Sequence, residues 1–166
     1  MKISCVIATY NGEKYIAEQL ESLFYQTRQF EEVLIFDDCS TDLTVKIVKQ
    51  FIREKHLNNW FISVNEINKG FSKNFFEGLQ KATGDFIFLC DQDDIWYKDK
   101  VQRMTDIMLD QPQINILSGG YKPLVSKSMD SLSKIYYFFN NKFSKKDKKV
   151  VLQRFKKNSV YTTRPG

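Results

Sequence analysis

Four short apolar runs, each followed by a polar cluster and then an amphipathic stretch of helical period, constrain this chain more than any other feature. The runs are residues 3–8, 33–36, 61–64 and 86–90. After the first, Ile16, Leu20, Leu23 and Phe24 fall at i, i+4, i+7 and i+8, which is one helix face. After the second, Val45, Val48 and Ile52 share a face, with Ser40 or Asp42 available as a cap. The spacing predicts a third helix from 72 to about 81 with Phe75, Phe76 and Leu79 inward, closed by Gly84 as its C-cap. A fourth runs from 99 to about 110 with Val101, Met104 and Met108 on one face, and 114–117 reads as a further strand. The run 86–90 is the most apolar, which predicts the central strand. Strands alternating with helices of this length need crossover connections. The expected fold is therefore α/β and doubly wound, a mostly parallel sheet with helices on both faces in a Rossmann-like arrangement.

In such sheets ligands gather at the carboxyl ends of the strands. Those ends are polar throughout: Thr9-Tyr10-Asn11-Gly12, Asp37-Asp38, Asn68-Lys69-Gly70 and Asp91-Gln92-Asp93-Asp94. If the backbone stays extended past residue 90, Asp91 and Asp93 point to one side and Asp94 to another. Carboxylates without histidine or thiolate neighbours suit a hard ion such as Mg2+ or Mn2+, one commonly shared with substrate phosphates. The competing reading is an acidic turn that caps the next helix. Asp37-Asp38 likewise either caps the helix after it or accepts hydrogen bonds from a base or ribose. Lys69 and Lys73 either face phosphate or are solvated surface. His56 lies in a polar stretch and carries no assigned role.

Several classes are disfavoured. The sequence holds no Walker loop, no Gly-x-Gly-x-x-Gly after the first run and no serine nucleophile elbow. Cys5, Cys39 and Cys90 lack metal-type spacing and read as small apolar-environment thiols of a reducing cytoplasm. No apolar run approaches the roughly 20 residues that span a bilayer.

The motifs in this order resemble those of the family 2 glycosyltransferases, which have the GT-A fold. The resemblance rests on residues 3–12, on 33–42, on Asn68-Lys69-Gly70, and on Gly84-Asp85 through Asp91-Gln92-Asp93-Asp94-Ile95-Trp96. The last form is most similar to bacterial transferases that build capsule, cell-wall or lipopolysaccharide glycans, including rhamnosyltransferase-like members. The resemblance implies an inverting, metal-dependent transfer of sugar from a UDP- or dTDP-sugar to a glycan or lipid-linked acceptor. It implies that Thr9, Tyr10 and Asp38 hold the base and ribose and that Glu13 lines their pocket. Asn11, Asn68, Gly70 and Lys73 join that nucleotide-binding set. Asp91 and Asp93 correspond to the Asp-x-Asp motif that ligates Mn2+ or Mg2+ with the donor diphosphate, and Asp94 contacts ribose or sugar. One departure is minor: Tyr97-Lys98 follows Trp96 where the family often has proline. The other is larger. The family's acceptor-activating carboxylate comes from a segment beyond a stretch resembling Asn158 to Gly166, so no base is assigned here. The expectation is a donor-binding part with a truncated C-terminal part, and the alternative is a nucleotide-sugar-binding module without turnover.

Charge divides the chain in the same place. Residues 1–120 carry 13 basic against 18 acidic residues, and 121–166 carry 12 against 2. The expected domains are a nucleotide-sugar-binding domain, 1–120, and a basic, aromatic helical extension, 121–166, beginning the acceptor side. In the extension Leu132, Ile135, Tyr136 and Phe139 share a helical face. Three readings stand for it: packing on the domain, peripheral contact with an anionic membrane surface at its inner face, or self-association through unmatched apolar faces. Nucleic acid is not an expected partner, because the charge is confined to this segment and no recognition module accompanies it.

Overall fold

The computed structural model describes residues 1–120; the expected extension, 121–166, with its membrane and self-association readings, lies outside the described residues. Met1–Asp106 forms one compact unit, and the chain from Ile107 is assigned to a second. The elements run β1 (Ile3–Thr9), α1 (Ile16–Phe24), β2 (Glu32–Asp37), α2 (Thr44–Glu54), β3 (Trp60–Val64), α3 (Phe71–Lys81), β4 (Phe86–Asp91) and α4 (Lys100–Asp110). The four strands form one parallel sheet in the order β3-β2-β1-β4. That is the α/β arrangement expected, with a crossover helix between each pair of successive strands.

β1 lies inside the sheet and is buried along its whole length. Its two faces have different partners. Ile3, Cys5 and Ile7 join Leu20, Leu23, Val48, Phe51, Phe88, Trp96 and Val101 in the main core. Their aliphatic and aromatic surface supplies the chief driving force for the unit, at about 25 cal/mol per Å² removed from water. Phe88 and Trp96 stack obliquely with ring centres 5.9 Å apart, and Phe30 packs edge-on against Phe88. On the opposite face α3 packs on β1 and β2. A Cβ at Gly78 would overlap Val6 and come within 3.1 Å of the Phe36 ring. Asn74 next to it donates to the Phe36 carbonyl at 2.6 Å.

Four expectations change at this level. The helix seam is Asn74 and Gly78, not Phe76 and Leu79, which are exposed. Large side chains on the seam would hold the helix off the sheet, and only Gly78 allows the observed approach. Gly84 does not cap α3, which ends at Lys81 with Ala82 extended. It crosses β1 instead: a Cβ there would lie 2.7 Å from the Ser4 nitrogen. The run 86–90 is an edge strand among the described residues, not a central one. Phe88 and Cys90 are buried, whereas Ile87 and Leu89 on the α3 side are exposed because α3 lies over β1 and β2. Residues 114–117 form no strand. The Ile114 N–H is spent on a local turn to the Gln111 carbonyl, and Ile114 is the one buried member of the run.

The register brings the strands to a common end. Thr9 pairs with Asp37, Ala8 with Asp91, and Asp37 with Val64, so the strands finish level. Every polar cluster singled out in the sequence emerges at that one edge.

Candidate functional site

The first loop, residues 10–13, leaves β1 and is tied to the loop after β2 by reciprocal hydrogen bonds. Asn11 takes a left-handed φ of 48°, a conformation asparagine tolerates better than most residues. Its N–H donates to Ser40 Oγ at 2.8 Å, and its Oδ1 accepts the Thr41 N–H at 2.9 Å. The Gly12 N–H donates to Thr44 Oγ1 at 2.8 Å. Glu13 donates its N–H to Asp42 Oδ2 at 3.0 Å and accepts the Leu43 N–H at Oε2, also at 3.0 Å. The Glu13 carboxylate thus satisfies the N-terminal turn of α2, where negative charge is favoured. Asp42 does the same from the other side, accepting from the Thr44 N–H and hydroxyl. Cys39, at φ 67°, is the second non-glycine held left-handed in this pair of loops. Strain of that kind persists only where the surroundings fix it.

Two adjacent aspartates at the end of β2 divide the work. Asp37, fully buried, accepts from the Thr9 hydroxyl at 2.7 Å and from the Ser40 N–H and hydroxyl at 2.8 and 2.6 Å. It locks β1 to the turn, and it commits the Thr9 hydroxyl as a donor. Asp38, also buried, does not cap α2. Its Oδ1 accepts Asn65 Nδ2 at 2.9 Å and the Lys69 N–H at 2.8 Å, and its Oδ2 accepts the Gly70 N–H at 2.7 Å. Burial works to raise the Asp38 pKa, but these donors and the Lys69 charge outweigh it and hold the carboxyl below its ordinary range.

That arrangement places the third cluster. Gly70 begins α3 at φ 84°, ψ 149°, backbone that side-chain-bearing residues rarely adopt. Its N–H is shared with Asn68 Oδ1 at 3.0 Å. Lys69 turns its ammonium to Glu77 at 2.9 Å rather than outward. Lys73 lies exposed on the first turn of α3. Tyr10, about half exposed, stands at the mouth of the first loop.

The acidic cluster is built differently. β4 ends at Asp91, and Gln92-Asp93 form a turn, so the extended alternation that would align Asp91 with Asp93 stops there. All three carboxylates are exposed. Loss of hydration, then the charge of Asp94, then that of Asp93, raise the Asp91 pKa. Asp94 acts on Asp91 more than Asp93 does, an order that i, i+2 spacing does not predict. The segment beyond is anchored to α1. The Trp96 N–H donates to Ser22 Oγ at 3.1 Å, Gln26 Nε2 to the Tyr97 carbonyl at 2.9 Å, and the Val101 N–H to Gln26 Oε1 at 3.1 Å. Lys100 lies over the Trp96 ring at 3.6 Å from its centre. Its pKa is lowered by burial, partly offset by Cys90 and Asp94.

An all-oxygen set of mutually repelling carboxylates fits a hard divalent cation. Among the described residues no group of three or more histidine, cysteine, aspartate or glutamate side chains is placed to hold a metal ion, so Asp91, Asp93 and Asp94 do not converge on one point. An ion at one or two of these carboxylates would take most of its shell from ligand oxygens and water. Sequence reasoning gave Gln92, Ser22 and Gln26 no role of their own and read Ser40 only as a helix cap, whereas all four organise the loops. Serine and glutamine carry no spacing signal of their own.

The family model described as Glycosyl transferase family 2 matches residues 4–161. The chain is 35% identical over 143 residues to the dTDP-rhamnosyl transferase RfbG of Shigella flexneri, covering 80% of this chain and 49% of that protein. It is 36% identical over 104 residues to the poly(ribitol-phosphate) beta-N-acetylglucosaminyltransferase TarS of Staphylococcus aureus, covering 61% of this chain and 18% of that one. The solved structure of S. aureus TarS in complex with UDP-GlcNAc matches with a TM-score of 0.61 at 35% identity, over 78% of this chain and 38% of that one. A mannosyltransferase from Pyrobaculum calidifontis, solved with GDP-Man and Mn2+, shares the fold at 22% identity and a TM-score of 0.62, over 66% of this chain and 33% of that one. The chain spans about half or less of the length of these relatives.

Proposed function

Because the chain belongs to glycosyl transferase family 2, we propose that its described region is the donor side of a sugar transfer in cell-surface polysaccharide synthesis. The donor is a UDP- or dTDP-sugar, and the acceptor is a glycan or lipid-linked glycan. The single observation that carries this reading is the pairing, at one level edge of the sheet, of an acidic cradle held by protein donors with an acidic turn that has none among the described residues. In this reading Tyr10 offers its exposed ring to the base, and Asn11 and Glu13 hold the loop that carries it. Thr9 fixes the loop from beneath through Asp37. Asp38 holds the 65–70 loop in place and keeps acceptor capacity at Oδ2 for base or ribose. Asn68 and Gly70 shape the wall of that pocket, and Lys73 reaches toward phosphate.

Asp91 and Asp93 are assigned to Mn2+ or Mg2+, with Asp94 near ribose or sugar. When bound, such an ion supplies charge neutralisation for the donor diphosphate and its departure as nucleoside diphosphate. The chain's own contribution is to hold the nucleoside rigidly, so that the anomeric carbon is presented in one orientation to an acceptor hydroxyl. The turn segment is kept in register with the core by Ser22 and Gln26. No helix among the described residues is long and apolar enough to cross a membrane. The proposed setting is cytoplasmic, at the inner face of the cell membrane where lipid-linked acceptors are presented.

Calorimetric titration of UDP and of dTDP, each with and without Mn2+, tests this. Metal-dependent binding that Asp93→Ala abolishes is expected. A folded chain that binds neither nucleotide under either condition overturns the reading.

A further inference from the structure

The two loops assigned to base and metal arise from different strands, β1 and β4, and one side chain joins them. The Tyr10 N–H donates to Gln92 Oε1 at 2.8 Å, and Gln92 Nε2 donates to the Tyr10 carbonyl at 3.1 Å. The amide thereby pairs with both polar groups of one backbone residue, as a neighbouring strand would. The contact ties the two segments together just beyond Ala8 and Asp91, the last pair in register between β1 and β4.

A second observation, on a different residue of the loop, points to the same side chain. A Cβ placed on Gly12 would lie 2.6 Å from Gln92 Cδ and 3.2 Å from its Cγ. Gly12 does not have the left-handed φ that otherwise demands glycine; among the described glycines that conformation belongs to Gly70. The backbone at 12 would accept alanine. A side chain there would have to displace the Gln92 amide.

We infer that Gln92 is a positioning residue, a strap that fixes the distance between the Tyr10 loop and the carboxylates flanking it, and that Gly12 is small in order to admit it. This deepens the proposed function and rests on it: base and diphosphate belong to one rigid ligand, so the loops that hold its two ends must keep a fixed separation. Asp91 and Asp93 flank Gln92 directly, so any rotation of the turn that releases Tyr10 also moves both carboxylates. Asn at 92 is one methylene shorter and cannot reach both Tyr10 groups from the same backbone.

The test is a double-variant cycle on the full chain, read by titration with UDP and Mn2+. Gln92→Ala is expected to weaken binding about tenfold. Gly12→Ala, which pushes the amide out of its seat, is expected to weaken it by a similar factor. The doubly substituted chain should bind no worse than the weaker single variant, because the clash and the strap are one contact. Thermal midpoints should stay close to that of the unsubstituted chain, since the strap's bonds are exposed. Amide exchange at Tyr10 should be slow in the unsubstituted chain and fast in Gln92→Ala. Should Gly12→Ala fail to fold, Gln92→Ala alone still decides through affinity and Tyr10 exchange. Unchanged affinity in Gln92→Ala, or penalties that multiply to about a hundredfold in the double variant, overturn the strap. An unsubstituted chain that binds neither UDP nor dTDP overturns the functional reading itself.

Discussion

Asp38 and Asp91 lie on either side of β1 at the same edge of the sheet, yet their surroundings are opposite. Asp38 is buried and receives three protein donors; Asp91 is exposed and faces two further carboxylates. The first has its pKa pushed down and the second up. Among the described residues one carboxylate is held by backbone and side-chain donors, and the other receives none. The same residue type, at the same place in the topology, thus anchors a neighbouring loop in one case and stands without such a tie in the other. What separates them is the count of donors within reach.

Breaking the satisfied side should cost the most. Asp38→Ala leaves Asn65 and the Lys69 and Gly70 N–H groups without their acceptor. A loss of about 3 kcal/mol of stability is expected in urea unfolding. Nucleotide binding should fall with it, because the 65–70 loop has lost its anchor. Asp91→Asn is expected to do the reverse. It removes a repelling charge, so stability should be unchanged or rise by up to ~0.5 kcal/mol. Metal-dependent UDP affinity should nevertheless drop about a hundredfold, near 2.7 kcal/mol. A stability loss at Asp91 equal to that at Asp38 would abolish the distinction.

This difference was only half legible in the sequence. Alternating apolar runs and helical faces give the parallel sheet, and the polar strand ends give the edge where the site lies. Both come from local pattern. The pattern could not rank Asp37, Asp38 and Asp91, because donors to Asp38 come from Asn65, Lys69 and Gly70, some 30 positions on. It also misplaced Phe76 and Leu79. Hydrophobicity marks them as core, but α3 approaches the sheet through Gly78, and closeness of backbone is invisible to a scale that scores side chains. Ile87 and Leu89 misled in the same way: their apolarity predicts burial on both faces, whereas α3 leaves one face of β4 uncovered. The Gln92 contact is longer-range still, since Tyr10 stands 82 positions before it.

Gly70 sharpens the comparison at the backbone rather than at a charge. Its φ of 84° needs glycine, and a Cβ there would meet nothing within 4 Å. Any cost of Gly70→Ala is therefore conformational and not steric, about 2 kcal/mol. The substitution should shift the Gly70 N–H away from Asp38 and raise the Asp38 pKa toward its ordinary range. An NMR titration of the Asp38 carboxyl in this variant separates the backbone contribution from that of Asn65. No movement of that pKa would mean that Asn65 and Lys69 alone hold Asp38.

The smallest effect concerns acid, and it uses a carboxylate outside the site as a control. Glu32 begins β2, at the other end of the strand from Asp38. It accepts from the Ser4 hydroxyl at 2.7 Å, from the Thr83 N–H and hydroxyl at 2.9 and 3.0 Å, and from Lys2 at 3.3 Å. Burial opposes ionisation, but these donors lower its pKa from an ordinary 4.5 to about 2. The folded form therefore holds fewer protons than the unfolded one across that interval. The stabilisation is full above pH 4.5 and is lost as pH falls toward 2. Discounted for solvent screening near the surface, it amounts to about 1 kcal/mol. Asp38 has the same sign and Asp91 the opposite: protonating Asp91 relieves repulsion and stabilises the folded chain as pH drops through its raised range. Unfolding free energy measured from pH 7 downward should thus fall less steeply in Glu32→Gln, and more steeply in Asp91→Asn, than in the unsubstituted chain. If both substitutions flatten the acid limb, Asp91 is a satisfied carboxylate like the others, and the contrast between the two sides of β1 fails.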